Sequence, residues 1–261
     1  MTDTEPKKAL GQHWLNDPAS LAAIAAEANL SKADTVLEIG PGQGSLTRLL
    51  VESAGQVVAV ELDKELASNL SKQKLASNLT VVNQDILKFD LRSLASGYKV
   101  VANIPYYLSS NLIRVLSESD NPPRQVVLLV QQEVAERVAA QPGSMSILSV
   151  TAQYYWQVSL GSRIGRDLFT PPPKVDSQVL ILKQRPEPLF AVETKAFFRL
   201  VKMGFAQRRK TLLNNLASLF GDRDRAQQCL DQAGLKLTVR AQELSLDDWY
   251  KLYQQGTPEN T

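Results

Sequence analysis

The sequence contains one cysteine, Cys229, and one histidine, His13, in 261 residues. A single cysteine excludes an internal disulfide framework and is typical of proteins kept in a reducing compartment. Cysteine and histidine are also the usual nucleophile and base of covalent catalysis, and their scarcity gives no sign of such an arrangement. We expect no bound metal ion.

Long apolar runs are absent as well. No run approaches the roughly 18–20 residues that a membrane-spanning helix needs, and the opening segment MTDTEPKKALGQHWLND lacks the apolar core of a signal peptide. With 44% hydrophobic and 21% charged residues, the composition is that of an ordinary globular protein. We expect a cytoplasmic monomer with no membrane partner.

The net charge is only +2, so the total does not indicate a nucleic-acid partner, and the distribution of charge matters more. Read as one helix, the segment 195–210 places Phe197, Val201 and Phe205 on one face and most of its basic residues opposite them. These basic residues, with no acidic residue among them, are Lys195, Arg199, Lys202, Arg208, Arg209 and Lys210. Such a face is either solvated or neutralises phosphates. We predict the second, a contact with a polyanion.

Five apolar, β-like runs predict a parallel sheet. Segments with helical character separate the runs, and continuous apolar strands that alternate with helices are typical of a sheet covered on both faces. The runs are Thr35–Ile39, Gln56–Glu61, Leu79–Asn83, Lys99–Asn103 and Gln125–Gln131. We therefore predict an α/β fold for this part of the chain.

The second half of the chain changes character. Two further β-like runs, Trp156–Ile164 and Asp176–Leu182, flank the segment LFTPPPK and are expected to pair at the edge of the sheet. The segment QRPEP that follows is typical of a linker because its prolines break regular structure, and from Thr194 onward the pattern is helical. We predict two domains, residues 1–185 and residues 186–261, the second small and all-helical.

The loop after the first strand has the sequence GPGQG and begins at Gly40. Ligands of open α/β sheets bind at the carboxyl ends of the strands, and glycines there let the backbone approach a ligand closely. Ser45 stands where the motif G-x-G-x-x-G would have its third glycine, so a nicotinamide or flavin pyrophosphate fits poorly. We assign Gly40 and Gly42 to a nucleotide site.

Acidic residues follow the next two strands. Glu61 lies 21 residues after Gly40, where the dinucleotide fold places the carboxylate that accepts the ribose hydroxyls. Asp85 follows the third strand, and a carboxylate there can accept a hydrogen bond from an exocyclic amino group. Each could be an ordinary surface acid. Together with the glycine loop, however, they indicate an adenosine bound without a phosphate, and S-adenosylmethionine fits that description.

The fourth strand ends in the stretch VVANIPYYLSS, which contains Asn103, Ile104, Pro105 and Tyr106. A proline at a strand end and an exposed tyrosine are common in themselves. The four residues nevertheless resemble the motif Asn-(Ile/Leu/Pro)-Pro-Tyr of adenine-N6 methyltransferases. That resemblance implies that the Asn103 side chain and the Ile104 carbonyl accept hydrogen bonds from the target amino group. Pro105 would fix the turn, and the Tyr106 ring would stack on the adenine.

More of the chain, from about Lys8 to Leu246, resembles one family, the ribosomal RNA adenine dimethyltransferases. The motifs that carry the resemblance are KKALGQHWLND, LLVQQEVAERV, FTPPPKVDS and GFAQRRKTLLNNL. In the first of them Trp14 replaces the usual phenylalanine. The resemblance implies a Rossmann-like class I S-adenosylmethionine-dependent methyltransferase domain with a small C-terminal all-helical domain.

The resemblance also assigns roles to individual residues. Those that would contact the cofactor are His13, Leu15, Gly40, Gly42, Glu61, Asp85 and Asn103. His13 could instead be a purely structural histidine. Phe169 would form the second wall of a base clamp opposite Tyr106, although its proline-rich segment could also be a ligand for another module. The basic segment 195–210 would contact rRNA.

The implied reaction transfers two methyl groups to N6 of each of two adjacent adenosines near the 3′ end of 16S rRNA, in the small ribosomal subunit.

Large-subunit methyltransferases that confer macrolide resistance share the fold and the Asn-Ile-Pro-Tyr type of motif, but FTPPPKVDS and FAQRRKTLLNNL look closer to the small-subunit enzymes. A ribosome-assembly protein with vestigial activity is a third interpretation, opposed by the intact Glu61, Asp85, Asn103 and Tyr106. An assembly role beside catalysis is compatible with all of these residues. DNA methylation is disfavoured because no second domain is large enough to read a duplex sequence.

Overall fold

The computed structural model of the protein describes residues 5–7, 10–187 and 189–256. Lys8 of the opening motif and Pro188 of the predicted linker lie outside these ranges. The chain divides into two compact units. The first comprises Met1–Glu136 and Trp156–Gln184, and the second comprises Arg137–Tyr155 and Arg185–Thr261.

The strands of the described chain belong to the first unit and form two sheets. They are β1 (Trp14–Leu15), β2 (Thr35–Ile39), β3 (Gln56–Glu61), β4 (Leu79–Asn83), β5 (Lys99–Asn103), β6 (Gln125–Gln131), β7 (Trp156–Ile164), β8 (Phe169–Thr170) and β9 (Ser177–Gln184). The larger sheet has seven strands in the order β4-β3-β2-β5-β6-β9-β7, and β1 pairs only with β8. The bounds predicted for β2 to β6 are confirmed, and so is the late pair of strands at the sheet edge.

The direction of the strands decides where a ligand can bind. Strands β2 to β6 are parallel to one another, whereas β9 runs antiparallel to both β6 and β7. Register aligns Ile39 with Val60 and Glu61 with Asn83. The carboxyl ends of the parallel strands therefore lie side by side along one edge of the sheet, and the loops that follow them meet there.

The described chain has ten α-helices. They are α1 (Pro18–Glu27), α2 (Ser45–Ser53), α3 (Lys64–Lys72), α4 (Ser109–Ser117), α5 (Gln132–Val138), α6 (Ile147–Tyr155), α7 (Thr194–Gly204), α8 (Leu212–Leu216), α9 (Arg223–Gln232) and α10 (Leu246–Gln254). None of the helices in the described ranges has the length and apolar composition that crossing a bilayer requires.

The second unit has its own core, and that core explains why α6 belongs to it. Val150 and Tyr154 of α6 are buried among the side chains of the C-terminal helices. The Tyr154 ring stacks on Phe197 of α7, with 5.4 Å between ring centroids. The expected contiguous division after residue 185 therefore differs from the structure, in which Arg137–Tyr155 groups with the C-terminal helices.

The basic segment is not one helix, so that prediction is wrong. Helix α7 ends at Gly204, which packs so closely against the indole of Trp249 that a Cβ atom there would clash. The Asn215 side chain then donates hydrogen bonds to the carbonyls of Gly204, at 2.6 Å, and Gln207, at 3.1 Å. Because the chain turns at this point, Lys195, Arg199 and Lys202 lie on α7, whereas Arg208, Arg209 and Lys210 lie in the turn after it.

A buried lysine ties several elements together at the amino-terminal edge of the sheet. The Lys99 ammonium donates to the carbonyls of Ala28, at 2.9 Å, and Asn29, at 2.7 Å, just after α1. It also pairs with Asp34 at 3.2 Å, and Asp34 in turn pairs with Arg124 at 2.6 Å. The Lys99 side chain is only 5% exposed, so its charge is stabilised by these partners rather than by water.

We expect Lys99→Met to lower the free energy of unfolding by about 3–5 kcal/mol, because it leaves the buried acceptors without their donor. The matched substitution Arg124→Met removes the other positively charged partner of Asp34, but the Arg124 side chain is 59% exposed. It should therefore cost no more than about 1 kcal/mol. Urea unfolding followed by circular dichroism measures both, and equal losses would contradict the structural role of Lys99.

Candidate functional site

A cavity opens at the edge of the sheet where the parallel strands end. Its walls come from the loops after β2, β3, β4 and β5 and from the N-terminal segment 10–15. The residues predicted for the site that line it are His13, Leu15, Gly40, Gly42, Glu61, Asp85, Asn103, Ile104, Pro105 and Tyr106. We call this space the carboxyl-edge cavity. The structure thus brings together every residue predicted to bind the cofactor.

The glycine loop holds the carboxylate of Glu61 in place. Gly42 has a φ of 57°, in the left-handed region, and its N–H donates to Glu61 Oε2 at 3.1 Å. The other oxygen, Oε1, accepts from the Asp63 N–H at 2.9 Å, and Asp63 caps α3. Burial raises the pKa of Glu61, although these N–H groups oppose the shift. The result is a fixed, almost fully buried acceptor at the end of β3.

Glu38 is a second buried acid in the cavity wall, and the prediction missed it. It is only 1% exposed, and its Oε2 has no hydrogen-bond partner among the described residues. Burial, with a smaller contribution from the negative charge of Glu61, raises the pKa of Glu38 to about 8. Its position near the end of β2, two residues before Gly40, is a signal of the same kind as the one that identified Glu61.

The side of the cavity beyond Glu61 combines one acid with apolar side chains. Asp85 caps the short turn after β4, where its Oδ1 accepts from the Leu87 N–H at 3.0 Å. Leu62, Ile86 and Leu87 line the cavity beside it, and Leu62 and Leu87 are notably exposed for leucines. An acceptor flanked by apolar walls suits a flat base that carries an amino group.

The end of β5 presents two acceptors that have no partner among the described residues. The Asn103 amide nitrogen donates to the His13 carbonyl, at 3.4 Å, which leaves its oxygen available. Neither Asn103 Oδ1 nor the Ile104 carbonyl accepts a hydrogen bond from another described residue. Pro105 follows them and leads into the turn Tyr106–Leu108, and Asn103, Ile104 and Pro105 all line the cavity.

The Tyr106 ring is fixed at the same wall. Its hydroxyl is 2.8 Å from Ser177 Oγ at the start of β9, and burial raises its pKa. The ring lies nearly parallel to that of His13, with 5.8 Å between centroids and 19° between planes. His13 Nδ1 in turn donates to the Pro171 carbonyl at 2.6 Å. The half-buried Tyr106 ring is therefore fixed in position by Ser177 and His13.

Phe169 does not lie where the prediction placed it. It is not among the described residues that line the cavity, and it is only 3% exposed within the core of the first unit. Strand β8 pairs with β1, which sets Phe169 opposite Leu15. Phe169 therefore does not line the cavity, where a wall of the predicted clamp would have to lie.

The basic residues predicted to bind RNA all belong to the second unit. Lys195, Arg199 and Lys202 are exposed on α7, and Arg208, Arg209 and Lys210 are exposed in the turn that follows. Within the described ranges, no group of three or more histidine, cysteine or acidic side chains is arranged to hold a metal ion.

Comparison with known proteins identifies the family. Residues 4–256 match the family described as ribosomal RNA adenine dimethylase. The ribosomal RNA small subunit methyltransferase A of Streptococcus pneumoniae (serotype 2, strain D39) is 41% identical over 93% of this chain and 89% of its own length. The protein with the same name from Streptococcus equi subsp. zooepidemicus is 40% identical over 94% of this chain and 90% of its own length.

Two solved structures share the architecture. A dimethyladenosine transferase from Plasmodium falciparum superposes with a TM-score of 0.81 at 27% identity, covering 94% of this chain and 99% of that one. The 23S rRNA methyltransferase ErmE superposes with a TM-score of 0.76 at 28% identity, covering 93% and 98%. The α/β unit thus has the Rossmann-like methyltransferase fold. With the family match running through almost the whole sequence, the chain belongs to the ribosomal RNA adenine dimethylase family.

Proposed function

We propose that the protein uses S-adenosylmethionine to dimethylate N6 of two adjacent adenosines in a hairpin near the 3′ end of 16S rRNA, in the small ribosomal subunit. One observation supports this most strongly. The carboxyl-edge cavity combines buried carboxylates with two acceptors at the end of β5 that lack a partner in the described chain, and none of its described lining residues is a lysine or an arginine. A site of this composition suits a cationic ligand without a phosphate.

The residues present fit S-adenosylmethionine. Glu61 would accept the ribose hydroxyls, because its carboxylate is held by two backbone N–H groups. Asp85 would accept from the adenine amino group, between the apolar side chains of Leu62 and Ile86. Glu38, whose Oε2 lacks a partner among the described residues, supplies negative charge for the positively charged half of the ligand. When bound, S-adenosylmethionine supplies an electrophilic methyl group and leaves as a neutral thioether.

Asn103 and Ile104 would activate the target amine. The lone pair of an aromatic amine is delocalised into the ring, which makes the nitrogen a poor nucleophile. Two acceptors that take its hydrogens out of the ring plane localise that lone pair. Because the leaving group is neutral, no strong general base is needed, in keeping with a chain that has only one histidine. After the first transfer one hydrogen remains, so only one of the two acceptors keeps its bond in the second round.

Tyr106 would hold the target base. A base can reach this site only when it is unstacked from its neighbours, and this costs less in a hairpin loop than in a duplex. Stacking on a ring that is already fixed by Ser177 offsets part of that cost. The exposed cations of the second unit would bind the rRNA backbone and so supply affinity that is independent of the base.

Methyl transfer to four substrates tests the proposal. Labelled S-adenosylmethionine is offered to undermethylated small subunits, large subunits, protein-free rRNA and a DNA duplex, and each product is digested to nucleosides. We expect N6,N6-dimethyladenosine from the small subunits. Label from the large subunits instead would favour an activity like that of the 23S rRNA methyltransferase ErmE. Bound cofactor with no label in any substrate would contradict an enzymatic function.

Asn103→Ala should lower the rate of methyl transfer at least ~100-fold, because it removes one of the two acceptors that activate the amine. The dissociation constant of S-adenosylmethionine, measured by calorimetry, should change only several-fold. Unchanged turnover would refute the catalytic assignment of Asn103. Equal losses in cofactor binding and in turnover would assign the residue to the cofactor alone.

The affinity for S-adenosylmethionine should rise between about pH 6.5 and pH 8.5. The pKa of Glu38 is raised to about 8 by burial, so this carboxyl is mostly neutral at the lower pH and mostly charged at the higher pH. A cationic ligand favours the charged form and therefore binds with release of a proton. Glu38→Gln should flatten the rise, and because both proteins bind the same ligand, the comparison cancels the ligand's own titration. Identical pH profiles would contradict the role of Glu38.

Replacing both Arg208 and Arg209 with glutamate should weaken binding to small subunits roughly tenfold or more and reduce its salt dependence, since these exposed cations are proposed to neutralise phosphates. The control is the double substitution Lys236→Glu with Lys251→Glu, which changes the charge equally at other exposed positions of the second unit. Filter binding at several salt concentrations measures both. If the two double substitutions had equal effects, Arg208 and Arg209 would affect binding only through the net charge of the protein, and the proposed phosphate contact would be wrong.

A further inference from the structure

Tyr107 is exposed to an unusual degree for an aromatic residue in a cavity wall. It lines the carboxyl-edge cavity, yet 64% of its surface is accessible, more than for any other large hydrophobic side chain in the described chain. Single exposed tyrosines are common on protein surfaces. One at the mouth of a binding cavity, directly after a residue proposed to stack on the substrate, is a candidate contact.

The local backbone gives the two neighbouring tyrosines different environments. Tyr106–Leu108 forms a single 3₁₀ turn, in which successive side chains point about 120° apart. Leu108 is buried, and Tyr106 is half-buried with its hydroxyl at Ser177. The Tyr107 ring is left at the rim of the cavity, beside the proposed position of the target base.

The Tyr107 ring lies close to Gly11 of the N-terminal segment and is largely exposed. A Cβ atom placed on Gly11 would lie 3.3 Å from Tyr107 Cδ1 and 3.5 Å from Cε1, so that edge packs closely against the N-terminal segment. The ring has no aromatic partner and its hydroxyl no hydrogen-bond partner among the described residues. Tyr107 is thus positioned by the N-terminal segment while most of its surface remains accessible.

We propose that Tyr107 forms a second base-binding subsite, which stacks on the unpaired purine next to the adenosine being methylated. The inference rests on the proposed function, in which two adjacent adenosines are modified in turn and each lies beside the other's site. Loop bases are commonly bound by stacking on exposed aromatic side chains. Two neighbouring rings, one inside the cavity and one at its rim, would hold two neighbouring bases.

A cycle of protein and RNA substitutions tests the subsite. The proteins are the wild type, Tyr107→Phe and Tyr107→Ala, with Leu160→Ala as a control that removes an exposed side chain outside the cavity lining. The substrates are undermethylated small subunits with both adenosines, and subunits in which either one is replaced by uridine, whose smaller base stacks less. The rate constant kcat/KM for the first methyl transfer and the affinity for S-adenosylmethionine are measured.

On subunits with both adenosines, Tyr107→Ala should lower kcat/KM roughly 5- to 100-fold, the range expected for loss of one stacked base. Tyr107→Phe and Leu160→Ala should remain near the wild type, and cofactor affinity should not move. On subunits with a neighbouring uridine, the penalty of Tyr107→Ala should shrink to about twofold, because the contact it removes is already weakened.

Three outcomes would overturn the inference. They are an unchanged kcat/KM for Tyr107→Ala, a penalty that is equal on all substrates, and a loss of S-adenosylmethionine affinity as large as the loss in transfer rate. Each of these leaves the proposed function intact as long as the wild type methylates its subunits. A wild type that methylates none of them overturns both the function and the subsite.

Discussion

The parallel alignment of four neighbouring strands is the constraint on which the site depends. Because β2, β3, β4 and β5 run in the same direction, residues far apart in sequence are brought to one edge of the sheet. Each strand contributes one group there: Glu38 before the glycine loop, then Glu61, Asp85 and Asn103. The buried Lys99 network ties the opposite edge, so the same sheet that forms the core also fixes the spacing of the polar groups.

The charge of the site follows from this arrangement. Two buried acids share a cavity whose described lining contains no lysine or arginine. Ionising both carboxyl groups there is unfavourable in the protein alone and becomes favourable when a cationic ligand binds. Burial raises the pKa values of Glu38 and Glu61, as expected when the charged form of a carboxyl group is unfavourable. The cations proposed for phosphate contact belong to the second unit, whereas the groups proposed for chemistry belong to the first.

Much of this could be predicted because the relevant signals are local. The strands of the parallel sheet are continuous apolar runs, and the residues that follow them belong to the cavity for purely topological reasons. The predictions that differ from the structure concern residues whose positions depend on contacts distant in sequence. Phe169 lies in the core, where its strand pairs with the N-terminal segment, and Gly204 at the end of α7 packs against Trp249. Neither neighbour is visible from the residue's own surroundings in the sequence, and the same holds for the packing of α6 in the second unit.

The most direct test of the central claim is a crystal structure of the protein bound to S-adenosylmethionine. The account predicts electron density in the carboxyl-edge cavity, with the ribose hydroxyls on Glu61, the adenine amino group on Asp85, and the sulfonium methyl directed toward the free oxygen of Asn103 and the Ile104 carbonyl. Density elsewhere in the protein, or a methyl group directed away from these two acceptors, would contradict it.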